Sequence, residues 1–151
     1  MLGILSASEC SELLGSNLVG RIGCTDGKRV YVVPVNYVFD GTAIICHSKE
    51  GLKIKLMQSN PEVCFEVDEM KDLCNWKSVI AYGRYREITD ELERYQAMRL
   101  MVERTFSLKL SQTAHPPHLS ADRVHTHEPG SIKVIVFRIE VTELTGRFEQ
   151  S

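Results

Sequence analysis

The chain has 151 residues, of which 43% are hydrophobic and 25% are charged, as expected for one globular domain over residues 1–151. A formal net charge of −2 gives no general electrostatic reason to bind nucleic acid or an acidic membrane surface. Because no apolar run has the length of a membrane span and the first residues lack the pattern of a secretory signal, we expect a cytoplasmic protein without membrane or nucleic-acid partners.

The first third of the chain predicts one short helix followed by three strands. Ser6 and Glu9 form a capping box, which predicts that the helix covers about residues 7–15. The hydrophobic pattern then alternates, which predicts strands over residues 18–24, 29–39 and 42–47. An Asp-Gly pair marks the turn between each strand and the next.

The rest of the chain adds two helices and three strands. In chain order these are a helix over residues 52–58, strands over 63–67 and 76–88, a long helix that opens at Thr89-Asp90-Glu91, a loop over 110–130 and a strand over 132–142. Asp90 and Glu93 occupy capping positions of the long helix, and Gly83 marks a bulge or bend. We expect the long helix to cover a barrel opening or a partner. Six strands joined by tight turns predict a mainly β fold: a six-stranded antiparallel barrel with flanking helices.

The segment from Cys46 to Lys53 runs from an apolar strand into the start of a helix. It contains Ser48, Gly51 and two lysines. Free backbone N–H groups at a helix N-terminus, the positive end of the helix dipole and a nearby ammonium all favour an anion. The segment therefore suggests a phosphate site, although on spacing alone an ordinary helix cap followed by a solvated lysine is equally open.

The strand upstream of this segment contains a proline. Pro34 lacks an N–H group and cannot complete a hydrogen-bonded ladder on that side, so its strand should lie at an edge or a bulge. The extended apolar run from Val33 to Asn36 could then support a flat ring attached to the phosphate. The alternative is an exposed edge strand without a ligand.

Neither the cysteines nor the histidines predict a metal site. The five cysteines are widely spaced and include no Cys-x-x-Cys pair, so we expect reduced thiols. His115, His118, His125 and His127 form close pairs, but no Asp or Cys stands at reliable spacing within them. We expect a solvent-exposed turn, or a loop near a ligand cleft.

Five short motifs follow one another over about residues 18–90. They are Gly20-Arg21-Ile22-Gly23, Val33-Pro34-Val35-Asn36, Ile45-Cys46-His47-Ser48 with Gly51 and Lys53, Asn60-Pro61-x-Val63, and Ser78-Val79-Ile80-Ala81-Tyr82-Gly83. Their order resembles that of the pyridoxamine-phosphate-oxidase-like flavoproteins and, more narrowly, their nitroimidazole-resistance branch. Because the motifs are collinear, the resemblance is more specific than any one of them.

The resemblance implies an FMN-binding split β-barrel that forms a homodimer, with a flavin (FMN, or FAD) in each of two clefts between the subunits. It assigns cofactor-binding positions to Arg21, to Val33, Pro34, Val35 and Asn36 beside the isoalloxazine, to His47, to Ser48, Gly51 and Lys53 near the phosphate, and to Ser78 at the polar edge of the ring. It also places His47 where a substrate could lie on the ring, which makes His47 a candidate catalytic residue. Histidines in such positions are more often structural.

The resemblance implies a flavin-dependent oxidoreductase that reduces small oxidised organic compounds such as nitroimidazoles or nitroaromatics, using an external electron donor. Pyridoxamine-phosphate oxidation itself fits less well, because the arginine-rich closing segment of that enzyme is missing from residues 143–151. The alternative is a non-catalytic module that stores or senses flavin or haem, since one scaffold can serve several functions.

Overall fold

The computed structural model describes residues 1–107 and 133–151, which form eight strands and three helices. The strands are β1 (Leu2–Ile4), β2 (Val19–Thr25), β3 (Val30–Asn36), β4 (Val38–Phe39), β5 (Ala43–Lys49), β6 (Glu62–Asp72), β7 (Asn75–Glu87) and β8 (Val134–Glu149), and the helices are α1 (Ala7–Ser16), α2 (Leu52–Ser59) and α3 (Glu91–Ser107). All the pairings are antiparallel, in the order β3-β2-β6-β7-β8-β5-β4, with β1 also on β8. The predicted mainly β class with flanking helices is confirmed.

The described residues contain eight strands where the sequence predicted six. The pattern over residues 29–39 splits into β3 and β4 at Tyr37, whose buried hydroxyl donates to the carbonyl of Leu14. The short strand β1 was not predicted, and β8 continues seven residues beyond the predicted end at Thr142 because its polar second half still pairs with β7 and β1. The predicted loop over 110–130 lies outside the described residues.

The predicted irregularity at Gly83 is confirmed. The register between β7 and β8 shifts between Tyr82 and Gly83. A Cβ atom at Gly83 would lie 2.5 Å from the carbonyl oxygen of Glu140, so a side chain there would collide with the backbone of the neighbouring strand. Glycine permits this close approach, which bends the sheet towards closure.

The core lies on the inner face of the sheet, and a second cluster lies beneath α3. Large side chains that are fully buried in the inner core include Phe65, Phe137, Ile22 and Ile44. On the outside of β5 and β8, Ala97, Met98 and Met101 of α3 pack on Val38, Ile45, Ile88 and Val136. The long helix therefore covers part of the barrel wall. None of the three described helices has both the length and the hydropathy that a membrane span requires.

A second part of the outer surface exposes apolar side chains. We call it the outer sheet face: the outward side of β1, β2, β3 and β6 and of the adjoining parts of β7 and β8. Of the fourteen large hydrophobic side chains exposed within the described ranges, seven alternate outward on these strands: Leu2, Ile4, Val19, Val30, Val32, Met70 and Tyr82. Half of the exposed large apolar side chains therefore share one face of the sheet, where they alternate with charged residues such as Arg21 and Glu66. Such a concentration on one face favours a binding surface.

The C-terminal turn of α1 is held by side chains from outside the helix. Three of them donate to carbonyl groups of the last turn, where backbone partners run out: Tyr37 to Leu14, Arg104 to Gly15 at 2.9 Å, and Asn17 to Leu13 at 2.9 Å. Asn17 also donates to Glu69 of β6 at 3.1 Å. This turn therefore joins α1 to α3, to β6 and to the junction between β3 and β4.

Ion pairs tie α3 to the barrel. Glu93 accepts from Arg86 at 2.7 Å and lies 3.5 Å from Arg138, which also pairs with Asp40 at 3.3 Å. The hydrogen bond from Arg86 holds the pKa of Glu93 below its ordinary value. The contribution of Glu93 to stability is therefore complete above the ordinary glutamate pKa and is lost as pH falls through the lower folded-state pKa.

We expect Glu93→Gln to lower the free energy of unfolding at neutral pH by about 0.2–1 kcal/mol, because the pairs are partly exposed. At low pH the difference between the variant and the parent should shrink, because it disappears once the carboxyl is protonated in both the folded and the unfolded parent. Urea unfolding at both pH values measures this. Glu103→Gln, on the exposed side of the same helix, is the control. A Glu93→Gln penalty that is independent of pH would contradict the prediction.

Candidate functional site

The N-terminus of α2 is open, unlike those of the other two described helices. α1 is closed by the Ser6–Glu9 capping box, and the Glu93 amide of α3 donates to Asp90 at 3.0 Å. α2 begins after Gly51 with no side-chain cap, and a Cβ atom built on Gly51 would meet nothing within 4 Å beyond its chain neighbours in the described structure. The amides of the first turn therefore face open space and could bind an anion.

Lysines surround this helix start. Lys53 is half-buried and lies close enough to the thiols of Cys24 and Cys46 for its charge to act on both. Burial raises the pKa of each thiol, and the Lys53 ammonium opposes that rise. Lys49 and Lys55 are exposed on either side. The charge and the free amides together favour a phosphate group.

Two neighbouring predicted residues, His47 and Ser48, point to opposite faces of β5. Ser48 lies on the side of Cys46 and the inner core, and its hydroxyl donates to the carbonyl of Lys49 at 2.9 Å. His47 lies on the side of Ile45, which packs beneath α3. The structure thus places Ser48 beside the start of α2 and His47 on the side facing α3. A catalytic role for His47 stays a prediction.

The predicted ring segment on β3 also divides between two faces. The side chains of Val33 and Val35 turn inward and pack against the core, whereas Pro34 and Asn36 are exposed on the outer sheet face. β3 pairs with β2 and ends the strand order, with Pro34 opposite Arg21. The prediction that Pro34 lies on an edge strand is therefore confirmed. A ligand on the outer sheet face could therefore meet Val33 and Val35 only through their backbone.

Two further predicted residues, Arg21 and Ser78, meet through a carboxylate that the sequence analysis did not single out. Ser78 Oγ donates to Glu66 Oε2 at 3.3 Å, and Arg21 Nη1 lies 3.5 Å from Glu66 Oε1 and 3.6 Å from Asp68 Oδ1. We call these four residues the outer-face cluster. The missed signal was the alternation of acidic residues with Val63, Phe65 and Val67, which turns Glu66 and Asp68 outward.

Glu66 is the electrostatically unusual member of this cluster. Partial burial raises its pKa first, and the neighbouring Asp68 raises it further. The hydrogen bond from Ser78 and the charge of Arg21 act in the opposite direction but do not cancel the rise. The outer sheet face therefore carries a carboxyl group that takes up a proton more readily than an ordinary glutamate.

A cavity of about 320 Å³ lies near the tip of the β6–β7 hairpin, away from these groups. Its lining residues are Glu69, Lys71, Asn75, Trp76, Lys77, Phe148, Glu149 and Gln150. The Trp76 indole donates to Glu149 at 3.1 Å. No predicted site residue lines this cavity. Most of the predicted residues instead form two groups, one at the start of α2 and one on the outer sheet face. His47 lies on the side facing α3, and Val33 and Val35 turn inward.

The described residues contain no metal-binding group of three or more histidine, cysteine or acidic side chains. The paired histidines from His115 to His127 lie outside them. All five cysteines are free thiols, as predicted.

A family model described as pyridoxamine 5'-phosphate oxidase matches residues 6–148. The chain belongs to the pyridoxamine 5'-phosphate oxidase family. The family resemblance drawn from the five motifs is therefore confirmed, and the match also includes the region beyond the motifs, where β8 completes the sheet. Both groups of predicted residues in this family member lie within the matched region.

Solved structures agree with this assignment. The crystal structure of an FAD-binding protein from Mesorhizobium loti is 29% identical, with a TM-score of 0.74, and the alignment covers 100% of this chain and 98% of that one. The structure of the FAD-binding protein from Mycobacterium smegmatis is 28% identical, with a TM-score of 0.66 and coverages of 97% and 100%. A candidate 5-nitroimidazole antibiotic resistance protein from Bacteroides thetaiotaomicron shares the fold, at 21% identity, a TM-score of 0.72 and coverages of 98% and 87%.

Proposed function

We propose that this chain binds a flavin and, as a homodimer, reduces small oxidised organic compounds such as nitroaromatics. The observation that carries the proposal is the uncapped N-terminus of α2 beside Lys53, which suits a phosphorylated cofactor. Membership of the pyridoxamine 5'-phosphate oxidase family and the likeness to two FAD-binding proteins support a flavin in particular.

Different residues would bind different parts of this cofactor. The first-turn amides of α2 and the Lys53 ammonium would hold the phosphate of FMN, or the pyrophosphate of FAD. Pro34 and Asn36 offer an edge strand for the ring, and Ser78 with Glu66 offers hydrogen-bonding groups. When bound, the flavin would supply the electron transfer itself, while the protein sets access and orientation.

The outer sheet face supports the second copy in this proposal. Its seven exposed apolar side chains would lose water in a dimer. The same face carries both signs of charge, with Arg21 beside Glu66 and Asp68, and with Arg147 opposite Ser78 on the next strand. A surface that carries both signs of charge can meet its own copy across a two-fold axis without one sign dominating the contact.

Absorbance and turnover test the proposal. The purified protein should carry or bind a yellow flavin, which mass spectrometry of the released cofactor identifies as FMN or FAD. A nicotinamide donor should bleach it without oxygen, and a nitroimidazole should restore the colour as it is reduced. A flavin that stays reduced with every oxidant favours the storage or sensing alternative. A protein that takes up neither FMN nor FAD contradicts the proposal.

We expect Lys53→Ala to weaken FMN binding by about tenfold to a hundredfold, because a charge-assisted hydrogen bond contributes about 1.5–3 kcal/mol. Lys55→Ala removes the same charge from an exposed position two residues away and should change affinity much less. Quenching of flavin fluorescence in titrations of the apoprotein measures both. Equal losses in the two variants would show a general charge effect and would remove Lys53 from the site.

A further inference from the structure

We propose that pH controls the association of the two copies through Glu66, a regulation that rests on the homodimer of the proposed function. Acidic conditions should strengthen the dimer and alkaline conditions should weaken it. The inference rests on where Glu66 lies within the outer sheet face and on which charges surround it.

Glu66 lies within the apolar surface that the second copy would cover. A row of paired residues crosses the outer sheet face through it: Pro34, Arg21, Glu66, Ile80 and Thr145. The next row carries Val32 and Tyr82, both exposed, and the row on the other side begins with exposed Val19. A contact that buries these apolar side chains would also cover Glu66.

The charges around Glu66 are unbalanced. Arg21 of β2 is shared by two carboxylates, at 3.5 Å from Glu66 and 3.6 Å from Asp68. From β7, Ser78 contributes a neutral hydroxyl, and Arg147 of β8 lies beyond it, opposite Ser78 in the register. One cation therefore faces two carboxylates within the outer-face cluster.

The more distant ionisable groups on this face leave the excess of negative charge in place. Glu62 of β6 is paired with Arg84 of β7 at 2.6 Å. Cys64 lies next to Glu66 on the outward side of β6 and carries a free thiol. Glu143 of β8 is opposite Tyr82 and adds a further negative charge.

Covering the face would shift the proton equilibrium of Glu66. Removal of water penalises its charged form, and burial is already the main reason why its pKa is raised in the single chain. Its pKa should therefore be higher in the dimer than in the monomer, so that association takes up protons. By linkage, the dimer dissociation constant rises with pH by up to about tenfold per pH unit for each proton taken up.

The test measures the dimer dissociation constant from about pH 4, near the ordinary glutamate pKa, to about pH 8. Fluorescence-detected sedimentation of the purified protein with its bound flavin reaches the low concentrations needed. We expect the constant of the parent to rise about tenfold or more across this range. Glu66→Gln should still form a dimer. Its dissociation constant should change by less than about threefold over the same pH range, because the amide does not titrate. Glu62→Gln, on the same strand and face, should keep the parent behaviour.

A second variant, Asp68→Asn, keeps the proposal testable if Glu66→Gln does not fold. Asp68→Asn removes a group that raises the pKa of Glu66, so the rise in the dissociation constant should begin at lower pH. A rise that persists in Glu66→Gln, a parent dimer of constant affinity, or an Asp68→Asn profile identical to that of the parent would overturn the regulation alone. A monomer at every pH would overturn the proposed homodimer as well.

Discussion

Gly51→Asp should remove most of the phosphate-dependent affinity for flavin while leaving the protein as stable as before. Aspartate is a better N-cap residue than glycine by a few tenths of a kcal/mol. The position has an extended backbone, at φ −177°, and open space for a side chain. The new carboxylate would accept from the first-turn amides of α2 and repel the phosphate. Loss of hydrogen bonds to a charged group predicts about tenfold to a hundredfold weaker FMN binding.

The comparison of FMN with riboflavin isolates this effect. Riboflavin lacks the phosphate, so its affinity should change little in Gly51→Asp. Gly51→Ser caps the helix without a charge and should fall between the parent and Gly51→Asp in FMN affinity. Thermal unfolding of the three apoproteins checks that the fold is unchanged. Equal losses for FMN and riboflavin would show that Gly51 acts on something other than a phosphate, and no loss would contradict an anion site at α2.

Phe65→Ala should lower the free energy of unfolding by about 3–5 kcal/mol, the usual cost of deleting a fully buried aromatic side chain. The ring is completely buried and meets Tyr37 edge-on, with 4.8 Å between the ring centroids. Its loss would leave a cavity between β2, β6 and the junction of β3 with β4. Urea unfolding monitored by circular dichroism measures the change. Leu73→Ala, at an exposed turn, should cost less than about 0.5 kcal/mol.

The Phe65 ring also explains why the first family motif begins with a glycine, Gly20. A Cβ atom on Gly20 would lie 2.3 Å from the Phe65 ring and 3.0 Å from the backbone oxygen of Glu66. Gly20→Ala should therefore destabilise the parent by about 1–3 kcal/mol through overpacking. In a Phe65→Leu background the penalty should shrink, because the planar ring is gone, and a double-mutant cycle would show the coupling. Strict additivity would contradict this contact.

Local patterns predicted most of the elements. Ser6 and Glu9 marked the start of α1, Asp90 marked that of α3, and the bulge at Gly83 stands where it was expected. The pattern could not show that β8 runs on to Glu149, because residues there are held by pairing with β7 and β1 and have little alternation of their own. Nor could the pattern show the break between β3 and β4 at Tyr37, because that break depends on the hydrogen bond from the Tyr37 hydroxyl to a carbonyl of α1.

The start of α2 and the outer-face cluster also differ in how far the sequence could predict them. The start of α2 was predictable because Ser48, Gly51 and Lys53 are near one another in the sequence. The outer-face cluster depends on strand pairing, since Arg21 meets Glu66 across 45 residues. Burial and the nearby Asp68 make Glu66 distinctive. Asp68 is two residues away in the same strand and could be read from the sequence, whereas the burial depends on the neighbouring strands. The division of Val33 and Val35 from Pro34 likewise required knowing which side of β3 faces the core.

The last turn of α1 has a consequence for the order in which the molecule assembles. Although α1 and its capping box can form early from neighbouring residues, two of its final carbonyls wait for distant donors. Leu14 accepts from Tyr37, and Gly15 accepts from Arg104, which is 89 residues away. Closing so long a loop is slow and entropically costly. The N-terminal helix should therefore be nascent and frayed at its far end until α3 docks, which makes its completion one of the latest events on the folding pathway.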